Sequence, residues 1–255
     1  MQQTSYSEVN ELLKELLENM KNVLGDKLVG LYLYGSLVWG DFDSKLSDID
    51  LLAVVSTNVT EKEFESLKQM HQSFVDKHQQ WNDRIEVQYL SRSALRTFKE
   101  KMSPAVTISP GEPIHRIEVG KHWLMNWYIV LEKGLTLYGP SPKTIIEPIT
   151  KEEFIQSVKG HTRSWNEWVT NMKRRKAQAY AILTMCRALY AIKNGEQTSK
   201  KQAAEWAKGK LPQWATLIDN AVKWREEKDN QQEDNENYPN TVKFVNYVRE
   251  KILAE

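Results

Sequence analysis

A single cysteine among 255 residues excludes an intramolecular disulfide and a cysteine-rich zinc site. That residue, Cys186, falls in an apolar helical pattern, where a core position is expected. An excess of one charge is also missing. Thirty-five Lys and Arg against 34 Asp and Glu leave a net charge of +1, so no global field argues for nucleic acid or a membrane as partner. No apolar run is long enough to span a bilayer, because the longest, 177–192, is interrupted by Gln178 and Arg187. The first 18 residues show neither a basic start nor an apolar signal core, and no export segment is expected. There is no internal repeat, and the only biased tract is a polar run at 229–237. The composition agrees with a cytoplasmic enzyme, long enough for two modest domains and expected to be a monomer.

Against that plain background one stretch carries unusual chemistry. Gly35-Ser36 is followed after eleven residues by Asp48-Ile49-Asp50. The flanking sequence, Leu46-Ser47-Asp48-Ile49-Asp50-Leu51-Leu52-Ala53-Val54-Val55, reads as a buried strand. Side chains alternate along a strand, so Asp48 and Asp50 share a face. Two adjacent buried carboxylates are costly in desolvation and in mutual repulsion, and a divalent cation relieves both. Hard oxygen ligands at this spacing suit Mg²⁺ together with substrate phosphates. Upstream, Val29-Gly30-Leu31-Tyr32-Leu33-Tyr34 reads as a second strand running into Gly35-Ser36. A small-residue turn between a strand and a helix start brings backbone N–H groups to an anion.

A third acid completes the set. Glu86 lies between Ile85 and Val87 in another strand-like segment, 81–90. A carboxylate beside a metal-bound pair takes a proton from an attacking hydroxyl or ligates a metal itself. Each feature alone has an ordinary reading: Asp-x-Asp is common, and Glu86 by itself is an exposed residue on a half-buried strand. Together they describe a nucleotidyltransferase site.

These residues look like those of the nucleotidyltransferase superfamily that includes DNA polymerase beta. Leu183-Thr184-Met185-Cys186-Arg187-Ala188-Leu189-Tyr190, Thr198-Ser199-Lys200 with Ala203-Ala204-Glu205-Trp206, and Leu135-Thr136-Leu137-Tyr138-Gly139-Pro140 narrow the match. They resemble the streptomycin/spectinomycin O-adenylyltransferases. The resemblance runs from about Leu28 to about Trp224 and is weak between Phe98 and Leu131. It implies an α/β nucleotidyltransferase domain, a mixed sheet with helices, followed by an all-α helical bundle.

The chain pattern supplies a matching layout. Capping boxes are expected at Ser5–Glu8, Thr60–Glu63 and Thr150–Glu153. Ser103 to Gly120, with Pro104, Pro110 and Pro113, is expected to be irregular. Three prolines between 140 and 148 mark a linker of about 140–149, dividing a domain at 1–139 from one at 140–255. The second is expected to be entirely helical, at roughly 150–171, 175–193, 199–208, 213–228 and 240–253. The active site is expected in the cleft between them.

The resemblance implies transfer of AMP from ATP to a hydroxyl of an aminoglycoside or aminocyclitol antibiotic, with release of pyrophosphate. Asp48 and Asp50 are then expected to hold Mg²⁺, two ions in all, and Glu86 to act as base. Gly35 and Ser36 are expected at the nucleotide, and the resemblance adds Arg187 and Lys200 as contacts to the triphosphate. The ordinary reading of Arg187 is an ion pair with an acid such as Glu205. Glu112 and Trp123 are the acceptor-site candidates, while Trp165 and Trp168, three apart on one helix, are weighted toward the core. One departure stands out: Lys173-Arg174-Arg175-Lys176 lies where the family carries acids. That run is either a solvated helix start or an anion site. A nucleotidyltransferase acting on another metabolite, RNA or protein is therefore the alternative.

Overall fold

The structure is a computed structural model describing residues 4–227 and 232–255. The chain divides into two compact units, Met1–Ile149 and Thr150–Glu255.

In the first unit, α1 (Ser7–Leu24) precedes β1 (Leu28–Tyr34), the short α2 (Ser36–Trp39) and β2 (Ile49–Val55). Then come α3 (Glu61–Lys77), β3 (Ile85–Ser91), α4 (Arg92–Thr97), β4 (Ser103–Ser109), β5 (Glu112–Val119), α5 (Leu124–Lys133) and β6 (Leu135–Tyr138). The six strands form one mixed sheet in the order β5-β4-β3-β2-β1-β6, in which only β2 and β3 run parallel. Strand alternation divides its residues. Leu31, Leu33, Ile49, Leu51, Ala53 and Val87 join a core with Leu13, Leu16 and Met20 of α1 and Leu67 and Phe74 of α3. Asp50 and Glu86 take the intervening positions and therefore project from the other face.

Two expectations about this unit are corrected. The N-cap of α1 is Tyr6, which makes no side-chain cap bond, so Glu8 falls one position short of the reach a capping box needs. Asn10 fastens the helix start instead, accepting from the Thr4 N–H at 2.8 Å and donating to the Thr4 carbonyl at 2.9 Å. The segment 103–120 is an antiparallel hairpin, not irregular chain. Its prolines are accommodated by position. Pro113 lies on the edge strand, Pro104 at the start of β4, and Pro110 beside the turn glycine Gly111 at φ +82°.

The second unit contains, among the described residues, α6 (Lys151–Thr162), α7 (Trp165–Trp168), α8 (Arg175–Asn194), α9 (Lys200–Lys210), α10 (Ala215–Glu226) and α11 (Tyr238–Ala254). The Thr150–Glu153 capping box forms as the sequence suggests, as does Thr60–Glu63 in the first unit. The helix expected over 150–171 is broken at 163–164. Thr162 turns its hydroxyl back to the Val158 carbonyl at 2.8 Å, a bond that bends helices. Helix α8 is the centre of the unit, packed by α6, α9, α10 and α11. Cys186 lies within its buried face, and burial pushes the thiol pKa up to about 12.

The cation run is partly tied down. Arg175 Nε lies 3.1 Å from Asp234 Oδ2 and its guanidinium 3.5 Å from Glu227. Lys173 uses its carbonyl, accepting from the Asp234 N–H at 3.0 Å and from Gln178 Nε2 at 2.8 Å. The part of the polar run at 229–231 lies outside the described residues; the part at 232–237 clasps the start of α8.

Candidate active site

The approach to β2 is built before its acids are placed. Asp43 caps the loop, accepting from the Lys45 N–H at 2.7 Å, while its own N–H donates to Ser47 Oγ at 3.0 Å. Arg84, just before β3, donates from Nε to the Ser47 carbonyl at 3.0 Å and from its terminal nitrogen to Ser44 at 2.9 Å. Burial lowers its pKa while the charges of Asp43 and Asp48 raise it. A guanidinium thus holds the chain in register where Asp48 begins the acidic pair.

Asp48, Asp50 and Glu86 converge. One carboxylate oxygen from each lies within 4.8 Å of the others, and all three side chains are half-buried. Two strands produce this arrangement: Asp50 and Glu86 are partners in the parallel β2–β3 register, so their side chains leave one face side by side. Burial, chiefly, pushes the Glu86 pKa up, and the charges of Asp48 and Glu112 add to it. Gln88 opposes the shift by donating from Nε2 to Glu86 Oε1 at 2.7 Å. Sequence reading passed over Gln88, although Glu-x-Gln on a strand puts both side chains on one face.

Gly35 stands against Asp50. Its φ is +73°, and a Cβ built on it would overlap Asp50 Oδ2. The turn needs a glycine for both its backbone and its space. Ser36 is the first residue of α2, and its Oγ is buried with no hydrogen-bond partner. Tyr34, at the end of β1, was also passed over. Its hydroxyl is buried and lacks a hydrogen-bond partner, and its phenol pKa is raised by burial first and then by Asp50, Glu86 and Asp48.

Glu112 opens β5 and is exposed, yet its charge reaches Glu86. Trp123 is half-buried and stacks on fully buried Trp127, with ring centroids 5.5 Å apart.

The second unit holds the remaining candidates. Arg187 is half-buried on α8, and its charge lowers the pKa of His161, after burial. Tyr180 lies seven residues earlier, on the same helix face about 10 Å along the axis. Lys200 begins α9 behind the Ser199 cap and places Nζ 5.3 Å over the Tyr180 ring. Glu205 is paired at 2.9 Å with Lys208. Trp165 belongs to the core, whereas Trp168 and Tyr180 are 44% and 49% exposed.

Residues 9–112 match the family described as nucleotidyltransferase domain, and residues 144–251 match aminoglycoside adenylyltransferase, C-terminal domain. The chain is 27% identical to a spectinomycin 9-adenylyltransferase of Staphylococcus aureus over 93% of both sequences. It is 24% identical to an aminoglycoside (3'') (9) adenylyltransferase of Escherichia coli over 99% of this chain and 98% of that one. The fold matches the crystal structure of spectinomycin adenyltransferase AAD(9) from Enterococcus faecialis, solved with ATP and spectinomycin. The TM-score is 0.72 at 19% identity, over 95% of this chain and 98% of that one. A nucleotidyltransferase domain with its acidic triad in one unit and a match to the aminoglycoside adenylyltransferase C-terminal domain in the other indicate an adenylyltransferase, similar in sequence to the spectinomycin and aminoglycoside adenylyltransferases.

Proposed function

We propose that the protein transfers AMP from ATP to a hydroxyl of an aminocyclitol or aminoglycoside antibiotic, with Mg²⁺ at the acidic triad. The convergence of Asp48, Asp50 and Glu86 within 4.8 Å carries this reading. The donor set fits the metal. All three groups offer hard oxygens, and three carboxylates within 4.8 Å gather negative charge that a cation would balance. Asp48 and Asp50 would hold the ions, two as in other sites of this chemistry. When bound, Mg²⁺ neutralises charge on the triphosphate and favours loss of pyrophosphate.

The chain's own residues supply the rest. Glu86 takes the proton of the acceptor hydroxyl as that oxygen attacks the α-phosphorus. A new O–P bond forms, the bond from the α-phosphorus to the bridging oxygen breaks, and pyrophosphate leaves. Its raised pKa makes Glu86 a better proton acceptor than an ordinary surface carboxylate. Gly35 keeps Asp50 in place by having no side chain, and the buried Ser36 hydroxyl is assigned to a phosphate oxygen. Arg187 and Lys200 are assigned to the triphosphate, supported by the family resemblance.

For the acceptor, Glu112 offers a carboxylate to an amine and Trp123 an aromatic surface supported by Trp127. Arg175 is engaged by Asp234 and Glu227, which weakens the case for an anionic acceptor at the cation run. Spectinomycin carries fewer cationic groups than streptomycin and needs fewer acidic partners, in keeping with basic residues at 173–176. The test is pyrophosphate release from ATP and Mg²⁺ with spectinomycin, streptomycin, other aminoglycosides and bulk RNA offered in turn. Release with spectinomycin is expected; release with RNA alone overturns the acceptor assignment.

A further inference from the structure

We propose that, when the metal binds, the Tyr34 hydroxyl donates a hydrogen bond to the Asp50 carboxylate and holds it oriented, making Tyr34 a positioning residue of the transfer site. The inference rests on the reading of Asp48, Asp50 and Glu86 given above. Tyr34, Asp50 and Glu86 form one row across three neighbouring strands: Tyr34 opposes Asp50 in the antiparallel β1–β2 register, and Asp50 opposes Glu86 in the parallel β2–β3 register. In-register partners share a sheet face, so the phenol ring stands beside the acids.

Its hydroxyl is out of place there by ordinary rules. Tyr34 is 5% exposed, and its Oη is buried with no hydrogen-bond partner. Buried hydroxyls are normally paired, and an unpaired one is costly. Tyr32, two residues earlier on the same face, follows the rule and donates to the Pro140 carbonyl at 2.8 Å. The Tyr34 hydroxyl instead lies in the field of Asp50, Glu86 and Asp48, named in order of their effect on it. A phenol hydroxyl is a hydrogen-bond donor at neutral pH.

Asp50 is the natural recipient. It lies directly across the strand pair, whereas Glu86 is one strand further away and Asp48 precedes the strand. Gly35 fixes the other side of the same carboxylate, against Oδ2. Hydrogen bonds to a metal-ligating carboxylate set its orientation, and their loss typically costs about 10–100-fold in metal affinity or activity.

The experiment is Tyr34→Phe, with Tyr32→Phe as control. Thermal melting in metal-free buffer and calorimetric titration with Mn²⁺ in the presence of a non-hydrolysable ATP analogue are the readouts. Tyr34→Phe is expected to melt at or above wild type, because it removes an unpaired buried hydroxyl. Its Mn²⁺ affinity is expected to fall by about 10-fold or more. The Mg²⁺ concentration for half-maximal pyrophosphate release should rise in parallel. Tyr32→Phe should melt lower and bind Mn²⁺ as wild type does. Unchanged Mn²⁺ affinity in Tyr34→Phe overturns the proposal alone, as does a lowered metal-free melting temperature, which would reveal a structural role. A wild-type protein that binds no Mn²⁺ overturns the metal reading and the proposal together.

Discussion

Gly35 and Asp50 occupy each other's space: a Cβ on Gly35 would collide with Oδ2 of Asp50, and Gly35 is held at φ +73°. Gly35→Ala is therefore expected to fail twice. The backbone at φ +73°, ψ −149° lies near a region essentially confined to glycine and costs an L-residue roughly 1–3 kcal/mol, and the methyl group displaces a carboxylate of the triad. Gly40 separates the two effects, since it has φ +77° but open space around its Cβ position. Gly40→Ala, in the αL conformation with ψ 12°, should lose roughly 1–2 kcal/mol and keep most pyrophosphate release. Gly35→Ala should lose nearly all of it. Equal turnover in the two variants would contradict the contact's importance.

Asp50→Asn should abolish transfer while preserving the fold. Without metal, three carboxylates crowd within 4.8 Å, so removing one charge relieves repulsion. Thermal melting in metal-free buffer should match or exceed wild type. Stabilisation by Mg²⁺ and ATP together should disappear. A variant that keeps wild-type turnover would remove Asp50 from the metal site.

Glu86→Gln should reduce turnover by about 10²–10⁴-fold, the usual range for a general base. It should also change the pH dependence of stability. Burial, assisted by the charges of Asp48 and Glu112, raises the folded-state pKa of Glu86. The folded protein then holds this proton more tightly than the unfolded chain does. Metal-free stability falls as pH rises from the ordinary carboxylate range through the raised value, and is recovered below it. Urea melts at pH 5 and pH 7.5 should show that decline in wild type and a flatter profile in Glu86→Gln. A steeper decline in the variant would reverse the assignment.

Asp234→Ala should destabilise the helical unit by about 1–3 kcal/mol, through loss of charged hydrogen bonds to Arg175 Nε and to the Asn237 N–H and Nδ2. Those bonds hold the Asp234 carboxyl below its usual range against burial, which raises it. Their stabilisation is present above the unfolded-chain pKa and lost as pH falls through the lower folded value. Arg175→Ala should melt lower with ATP affinity unchanged. A fall in ATP affinity at unchanged melting temperature would return Arg175 to an anion site.

Much of this was legible in the sequence because it depended on short spacings. Period-two alternation placed Asp50 on the face opposite Leu51, and the hydrophobic flanks identified β1, β2 and β3. What was not legible depended on partners distant in sequence. The irregular segment expected at 103–120 is a hairpin because its prolines lie at an edge, a strand start and a turn, and an edge is defined only once the sheet is assembled. Arg175 was read as a solvated cation or an anion contact because its partner Asp234 is 59 residues away. The break after Thr162 coincides with a side-chain bond to the Val158 carbonyl, which helical periodicity does not register. Tyr34 read as an ordinary strand aromatic; only the register that sets it opposite Asp50 marks its hydroxyl.

The central claim is that the acidic triad serves adenylyl transfer, and isotopic labelling of ATP tests it most directly. Spectinomycin would be incubated with the enzyme, Mg²⁺ and ATP labelled at either the α- or the γ-phosphate, and the recovered antibiotic counted. The account predicts label from the α-phosphate only, lost in Asp50→Asn and on removal of Mg²⁺. Label from the γ-phosphate, or α-label undiminished in Asp50→Asn, would contradict it.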